Sequence, residues 1–220
     1  MNRSAFTDAL SSRGWVGFNA DRCDKEGILA EMRELALELG RPVHGRRGRY
    51  EESISPHTTF RAHPRSLSAK YGLDELPFHV ELSHRLTPCR YLLLGCIDPG
   101  SSTVPTTLLN WHNLNFSKDE LNVLESAPIL VRNGRRSFYS SILPRNRAYF
   151  RYDPGCLEPV DARGTEALAL VARQLSNAHC EHHYWERGKI LVIDNWRFLH
   201  GRGTANGSTG RCLARIMVND

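Results

Sequence analysis

The sequence predicts one mainly β domain with flanking helices, two sheets packed as a sandwich or jelly roll. Three observations predict it. From Pro77 onward, short apolar runs alternate with turn residues. Only a few stretches carry a helical stripe. The 220 residues show no internal repeat, low-complexity segment or compositional break, so one core is expected across 1–220. Within it, a helical and loop-rich N-terminal part, 1–68, is expected to pack on a β core, 69–220.

The elements follow in order. GWVGFN reads as a short strand. Residues 21–40 place Ile28, Leu29, Met32, Leu35, Ala36 and Leu39 on one helical face, closed by Gly40 and Pro42. Residues 41–68 are rich in Gly, Pro, Ser and Arg and read as loop, with one strand near 50–54. Then come the strand candidates RYLLLGCI, PTTLLNW, PILVR, SFYSSI, AYFRYD, EHHYW, KILVID and CLARIMV. Two helices interrupt them. One starts at Ser117, where Glu120 three residues on completes a capping-box signature. The other spans 164–176, with Leu168, Val171 and Leu175 at helical spacing.

Composition narrows the classes. No run of about 18 apolar residues occurs and the N-terminus lacks an apolar core segment, so a membrane span or secretory leader is not expected. The cysteines Cys23, Cys89, Cys96, Cys156, Cys180 and Cys212 form no CxxC pair. Buried free thiols in a reducing cytoplasm are the expectation. The net charge of +5 is partly local, in Arg41, Arg46, Arg47 and Arg49. Without interleaved aromatics, that cluster reads as a solvated, mobile loop and not as a nucleic-acid surface.

The chemistry-bearing residues are His79 and Glu81 in PFHVELSH, His200 in DNWRFLHGR, and Arg211 and Arg215 in RCLARIMV. In a strand, residues two apart share a face, so His79 and Glu81 can enter one cavity while Val80 packs the other way. Arg211, Leu213 and Arg215 likewise share one face of the last strand. Two inward arginines are costly unless something anionic meets them. Two imidazoles and one carboxylate can hold iron on one side and leave the other side open.

H-x-E, a Thr in VPTTLLN, DN-x-R-x-x-H-G-R and R-x-x-x-R resemble the TauD/TfdA-type Fe(II)/2-oxoglutarate dioxygenases over residues 76–218. FHVELSHRLTPCRYLLLGC, with Glu as the carboxylate, is similar to the clavaminate-synthase-like branch, which includes asparagine and arginine hydroxylases. The resemblance implies a double-stranded β-helix, or cupin-like jelly roll. His79, Glu81 and His200 would ligate Fe(II). Thr107 and Arg211 would hold the far carboxylate of 2-oxoglutarate, and Arg215 would lie near the metal-bound carboxylate. Dioxygen would be the other co-substrate, and succinate and carbon dioxide would be released. Retention of Glu81 separates the chain from halogenases of this fold and favours hydroxylation, with desaturation or ring closure still open. The substrate would be a small amino-acid-like metabolite. Asp153 of Arg151-Tyr152-Asp153 is the candidate contact for its cationic group, although Asp153-Pro154-Gly155 is equally good turn chemistry. Trp111, Asn113 and Arg202 are candidate rim residues. Val104 and Pro105 stand where the family often has a Gly pair. The chain is short for the family, so its pocket is expected to be open, small or completed by a partner subunit; a homo-oligomer stays open.

Other readings compete. His179, Cys180, Glu181, His182 and His183 are dense in metal-capable groups, but neighbours on a strand alternate faces and cannot all converge. A zinc hydrolase using the same three ligands leaves Arg211 and Arg215 without a role. A jelly-roll binding module without oxygenase activity, or a nucleic-acid demethylase of the same superfamily, remain the alternatives.

Overall fold

Along Tyr91–Asp98 and Cys212–Asn219 successive side chains leave on opposite faces, and that alternation builds the layers of this molecule. The computed structural model describes residues 3–45, 48–64, 66–101, 103–207 and 210–220. Its order is α1 (Arg3–Arg13), β1 (Trp15–Asn19), α2 (Lys25–Leu39), β2 (Arg41–Val43), β3 (Glu51–Ile54), α3 (Leu67–Tyr71), β4 (Leu76–His79), β5 (Tyr91–Asp98), β6 (Thr106–Asn110), α4 (Lys118–Ser126), β7 (Ile129–Val131), β8 (Phe138–Ser140), β9 (Leu157–Pro159), α5 (Ala162–Ser176), β10 (Glu181–His183), β11 (Lys189–Asp194), β12 (Phe198–Arg202) and β13 (Cys212–Asn219). Short 3-10 turns lie at Thr59–Arg61 and Trp111–Asn113.

The strands form three antiparallel sheets. The main sheet runs β1-β11-β5-β13-β2, with β3 also paired to β13. A second sheet runs β10-β6-β12-β4, and a small third runs β8-β7-β9. Leu92, Leu94, Leu191, Ile193, Leu213 and Met217 of the main sheet meet Leu108 and Phe198 of the second in one buried cluster. The opposite face of the main sheet, with Leu93, Ile190, Val192, Ala214 and Ile216, is covered by α1 and α2. The opposite face of the second sheet, with Leu109 and Leu199, packs against α4, α5 and the third sheet.

Local chemistry sets the helix limits. The Asp24 carboxylate accepts from Gly27 N at 3.0 Å to start α2, and Gly40 at φ 149° ends it. A Cβ on Gly40 would stand 2.0 Å from the Asn219 carbonyl, so β13 also requires glycine there. Ile28 and Met32 of α2 are fully buried, each stabilising by about 1.5–3 kcal/mol. They sit directly over Gly95 of β5, where a Cβ would lie 2.4 Å from the Met32 sulfur. Ser117 and Glu120 complete the expected capping box on α4.

Three expectations change. The strands expected at GWVGFN and near 50–54 form as β1 and β3, but together with β2 they are members of the main sheet and do not merely pack on the β core. The reason is tertiary, because β11 and β13 offer edges that these short runs complete. AYFRYD forms no strand. Its backbone bonds are divided, with Arg151 N donating to Ile142 O, Phe150 N to Trp196 O, and Tyr152 O accepting from Val80 N. Of the basic cluster, Arg46 and Arg47 lie outside the described residues, while Arg41 begins β2. No described helix is long and apolar enough to cross a membrane.

Candidate functional site

His79 ends β4 directly opposite His200 of β12, and their rings are 4.2 Å apart between centroids. Glu81 follows two residues after His79. The ligand atoms of His79, Glu81 and His200 all lie within 4.8 Å of one another, the one such group among the described residues. The cluster His179–His183 forms no second group: Glu181 is taken by Arg13 at 2.6 Å and Trp15 Nε1 at 3.1 Å.

The backbone holds this arrangement tightly. Asn195, fully buried, accepts from Glu81 N at 2.8 Å and donates through Nδ2 to Glu81 O at 3.1 Å and Cys89 O at 2.8 Å. Its amide therefore replaces a strand partner at a point where Leu82 turns the chain at φ 58°. Arg151 is fully buried and ties the following turn, donating to the carbonyls of Ser83, Arg85 and Leu86.

The donor set fits a divalent ion. His79 Nδ1 pairs with Pro77 O at 3.0 Å, so that nitrogen carries the proton and Nε2 keeps its lone pair. His200 Nδ1 is buried with no hydrogen-bond partner among the described residues. Burial holds His200 well below the usual imidazole range, with His79 and Arg215 acting in the same direction and Glu81 opposing. A neutral imidazole is the form that ligates.

Two chambers meet at this group. The inner one, 160 Å³, is lined by His200, Arg202, Thr106, Arg211, Leu94 and Leu213 among others. Arg211 donates to Val104 O at 2.8 Å and has no carboxylate partner among the described residues. Burial lowers its pKa to about 10, and neighbouring Arg202 adds to the effect. Arg202 spends its Nη2 on the carbonyls of Gly72 at 3.1 Å and Asp74 at 2.6 Å. The outer chamber, 440 Å³, is lined by Glu52, His57, Arg61, His84, Asp153 and Arg215 among others.

Arg215 lies between the chambers. Its Nη1 donates to Glu81 Oε2 at 2.7 Å and its Nη2 to Glu52 Oε2 at 2.5 Å. Burial works against its charge, but Glu81 and Glu52 outweigh it and raise its pKa.

Several expected positions move. Thr107 is not part of the inner wall; Thr106 is, because only alternate residues of β6 face inward. Thr106 Oγ1 accepts from Trp185 Nε1 at 3.0 Å, leaving its own O–H to donate. Arg202 lies beside Arg211 at the inner end and not on an outer rim. Trp111 is buried beyond the second sheet, stacked on Phe150 at 5.5 Å, and Asn113 is exposed on the same 3-10 turn; neither lines a chamber of this site. Asp153 does line the outer chamber, while its Oδ1 also accepts from Gly155 N at 2.7 Å. Glu52 and Asn195 were not singled out from sequence. The second is the Asn of the DN in the quoted motif DNWRFLHGR, and the first carries no local signal.

Residues 106–217, just over half of the chain, match the family model described as taurine catabolism dioxygenase TauD, TfdA family. No curated protein matches in sequence. Among solved structures, asparagine oxygenase in complex with Fe(II), 2S,3S-3-hydroxyasparagine and succinate superposes with a TM-score of 0.78. It is 17% identical, with 99% of this chain and 78% of that chain covered. The non-heme iron oxygenase OrfP with Fe and alpha-ketoglutaric acid gives 0.76 at 19% identity, covering 98% and 78%. OrfP with Fe, succinate and (3S)-hydroxy-L-Arg gives 0.77 at 18%, covering 100% and 82%. At these identities the likeness speaks for the fold.

Proposed function

The chain belongs to the TauD/TfdA family of dioxygenases, which depend on iron(II), 2-oxoglutarate and dioxygen, and we propose that it hydroxylates a small amino-acid-like metabolite. His79, Glu81 and His200 would hold the iron. When bound, iron with 2-oxoglutarate supplies an oxidant strong enough to attack an unactivated C–H bond, with succinate and carbon dioxide as by-products.

The chain's own residues bind and orient. The observation that carries the co-substrate assignment is Arg211, a buried guanidinium with a backbone carbonyl but no carboxylate as partner among the described residues. A buried cation left so is stabilised by an anion, and a guanidinium fork suits a carboxylate. Thr106 adds a hydroxyl donor beside it, and Arg202 adds positive potential. Arg215, already shared by two carboxylates, holds Glu81 and does not serve as a carboxylate receptor. The inner chamber's 160 Å³ is small for a ligand site and suits a short dicarboxylate.

The outer chamber takes the substrate. Asp153 is the candidate partner for an amine or guanidinium there, and the Arg151 clamp and the Val80–Tyr152 bond fix its distance from Glu81. The asparagine and arginine products bound to the similar structures support an amino-acid-like ligand. Two facing antiparallel sheets with the site between them support a double-stranded β-helix. The six free cysteines support a reducing compartment such as the cytoplasm.

The test is succinate formation under Fe(II), 2-oxoglutarate and air, across free amino acids and their simple conjugates. A substrate-dependent rise, lowered in Asp153→Ala, supports the reading. A flat response across the panel, with no hydroxylated product by mass spectrometry, contradicts it.

A further inference from the structure

We propose that Glu52 is a positioning residue for the metal centre, acting through Arg215 on the Glu81 carboxylate. The proposal rests on the metal-centre reading above.

Glu52 on β3 lies directly opposite Arg215 on β13, and both side chains enter the space between the sheets. The three groups form a chain: Glu52 Oε2 to Arg215 Nη2 at 2.5 Å, then Arg215 Nη1 to Glu81 Oε2 at 2.7 Å. All three side chains are mostly buried, at 13%, 19% and 14% exposed. Arg215 Nε has no partner among the described residues, so the two carboxylates alone fix the plane of the guanidinium. Gly45 closes the far side of Glu52; a Cβ there would stand 2.2 Å from Oε1.

The arrangement has an electrostatic consequence. A guanidinium bonded to a metal-binding carboxylate competes with the metal for its charge. Glu52 shares that guanidinium, so the trio carries a net charge of about −1 and Glu81 stays a good donor to a cation. Bonding to Arg215 also fixes the orientation of the Glu81 carboxylate through its Oε2. Such outer partners typically govern metal affinity by about 10–100-fold.

Cobalt(II) titration of the full-length protein, followed by visible absorption and without 2-oxoglutarate, tests this. Glu52→Gln is expected to weaken Co(II) binding by about 10-fold or more. Glu51→Gln, on the same strand as Glu52 but paired with Arg33 of α2, is expected to bind as the parent does. In an Arg215→Gln background, Glu52→Gln is expected to add nothing further. Parental affinity in folded Glu52→Gln, or an equal loss with Arg215 already removed, would overturn the proposal. If Glu52→Gln does not fold by circular dichroism, Glu52→Asp carries the test. It keeps the charge but is one methylene short of Arg215, so unchanged affinity there also overturns it. Failure of the parent to bind Co(II) at all brings down the metal centre itself, a different outcome from parental binding that ignores Glu52.

Discussion

His79 and His200 face each other across the β4–β12 pair with ring centroids 4.2 Å apart, and their ligand atoms and that of Glu81 all lie within 4.8 Å of one another. Two adjacent imidazoles beside a carboxylate, both of them buried, are poorly placed for stability alone. They are well placed for a cation.

Arg211 and Thr106 should control the apparent affinity for 2-oxoglutarate. Removing one partner of a buried charge pair costs about 2–5 kcal/mol. Arg211→Met is therefore expected to raise the KM for 2-oxoglutarate by at least about 30-fold, with Arg211→Lys partly restored. Thr106→Val should cost about tenfold or less, and Thr107→Val should change nothing. Steady-state succinate release measures all four; a larger loss in Thr107→Val than in Thr106→Val would reverse the assignment.

Asn195 should hold the Glu81 backbone. Asn195→Ala removes the bonds that Asn195 makes to Glu81 N, Glu81 O and Cys89 O. A buried polar group that loses its hydrogen bond costs about 1–3 kcal/mol. A loss of about 3 kcal/mol or more in urea unfolding is expected, together with weaker Co(II) binding. An unchanged unfolding midpoint would show that water or relaxation replaces the amide.

His183 should make the metal-free protein acid-sensitive. Burial lowers its pKa to about 4, Lys189 adds to this, and its Nε2 is buried without a partner among the described residues. The unfolded chain protonates near the ordinary value of 6.5 while the folded chain does not. Stability is thus unaffected above about pH 6.5 and falls as pH drops from there toward 4, by about 3 kcal/mol in total. The gap between urea midpoints at pH 7 and 4.5 should narrow in His183→Phe, with His200 supplying part of what is left; an unchanged gap would clear this residue.

The thiols should divide by burial. Burial pushes Cys89 far above the usual thiol range and Cys96 to about 11, while Cys23 is exposed. Iodoacetamide at neutral pH should label Cys23 and spare Cys89 and Cys96 until denaturant is added. Native labelling of Cys89, read by mass spectrometry, would mean that the turn behind Glu81 opens.

The parts legible in the sequence were those with a local period. His79 and Glu81 are two apart and Arg211 and Arg215 four apart, spacings that on an extended chain point to one side; all four line the inner chamber, although Glu81 stands in the turn past the end of β4 and Arg211 just before β13. The capping box of α4 and the stripe of α2 were readable for the same reason. What required tertiary information was not. Thr106 and Thr107 are chemically alike, and only the pairing of β6 with β12 decides which faces inward. Glu51 and Glu52 are likewise adjacent, and the β3–β13 register sends one to Arg33 and the other to Arg215. Trp111 follows β6 closely enough to suggest a rim, but a 3-10 turn carries it behind the second sheet.

The central claim is that one site holds iron and 2-oxoglutarate together through His79, Glu81, His200 and Arg211. Anaerobic addition of Fe(II) and then 2-oxoglutarate, watched in the visible range, tests it most directly. The account predicts a weak charge-transfer band that needs both additions, is absent in Glu81→Ala and is greatly weakened in Arg211→Met at the same concentrations. No band in the parent protein, or an undiminished band in both variants, would contradict it.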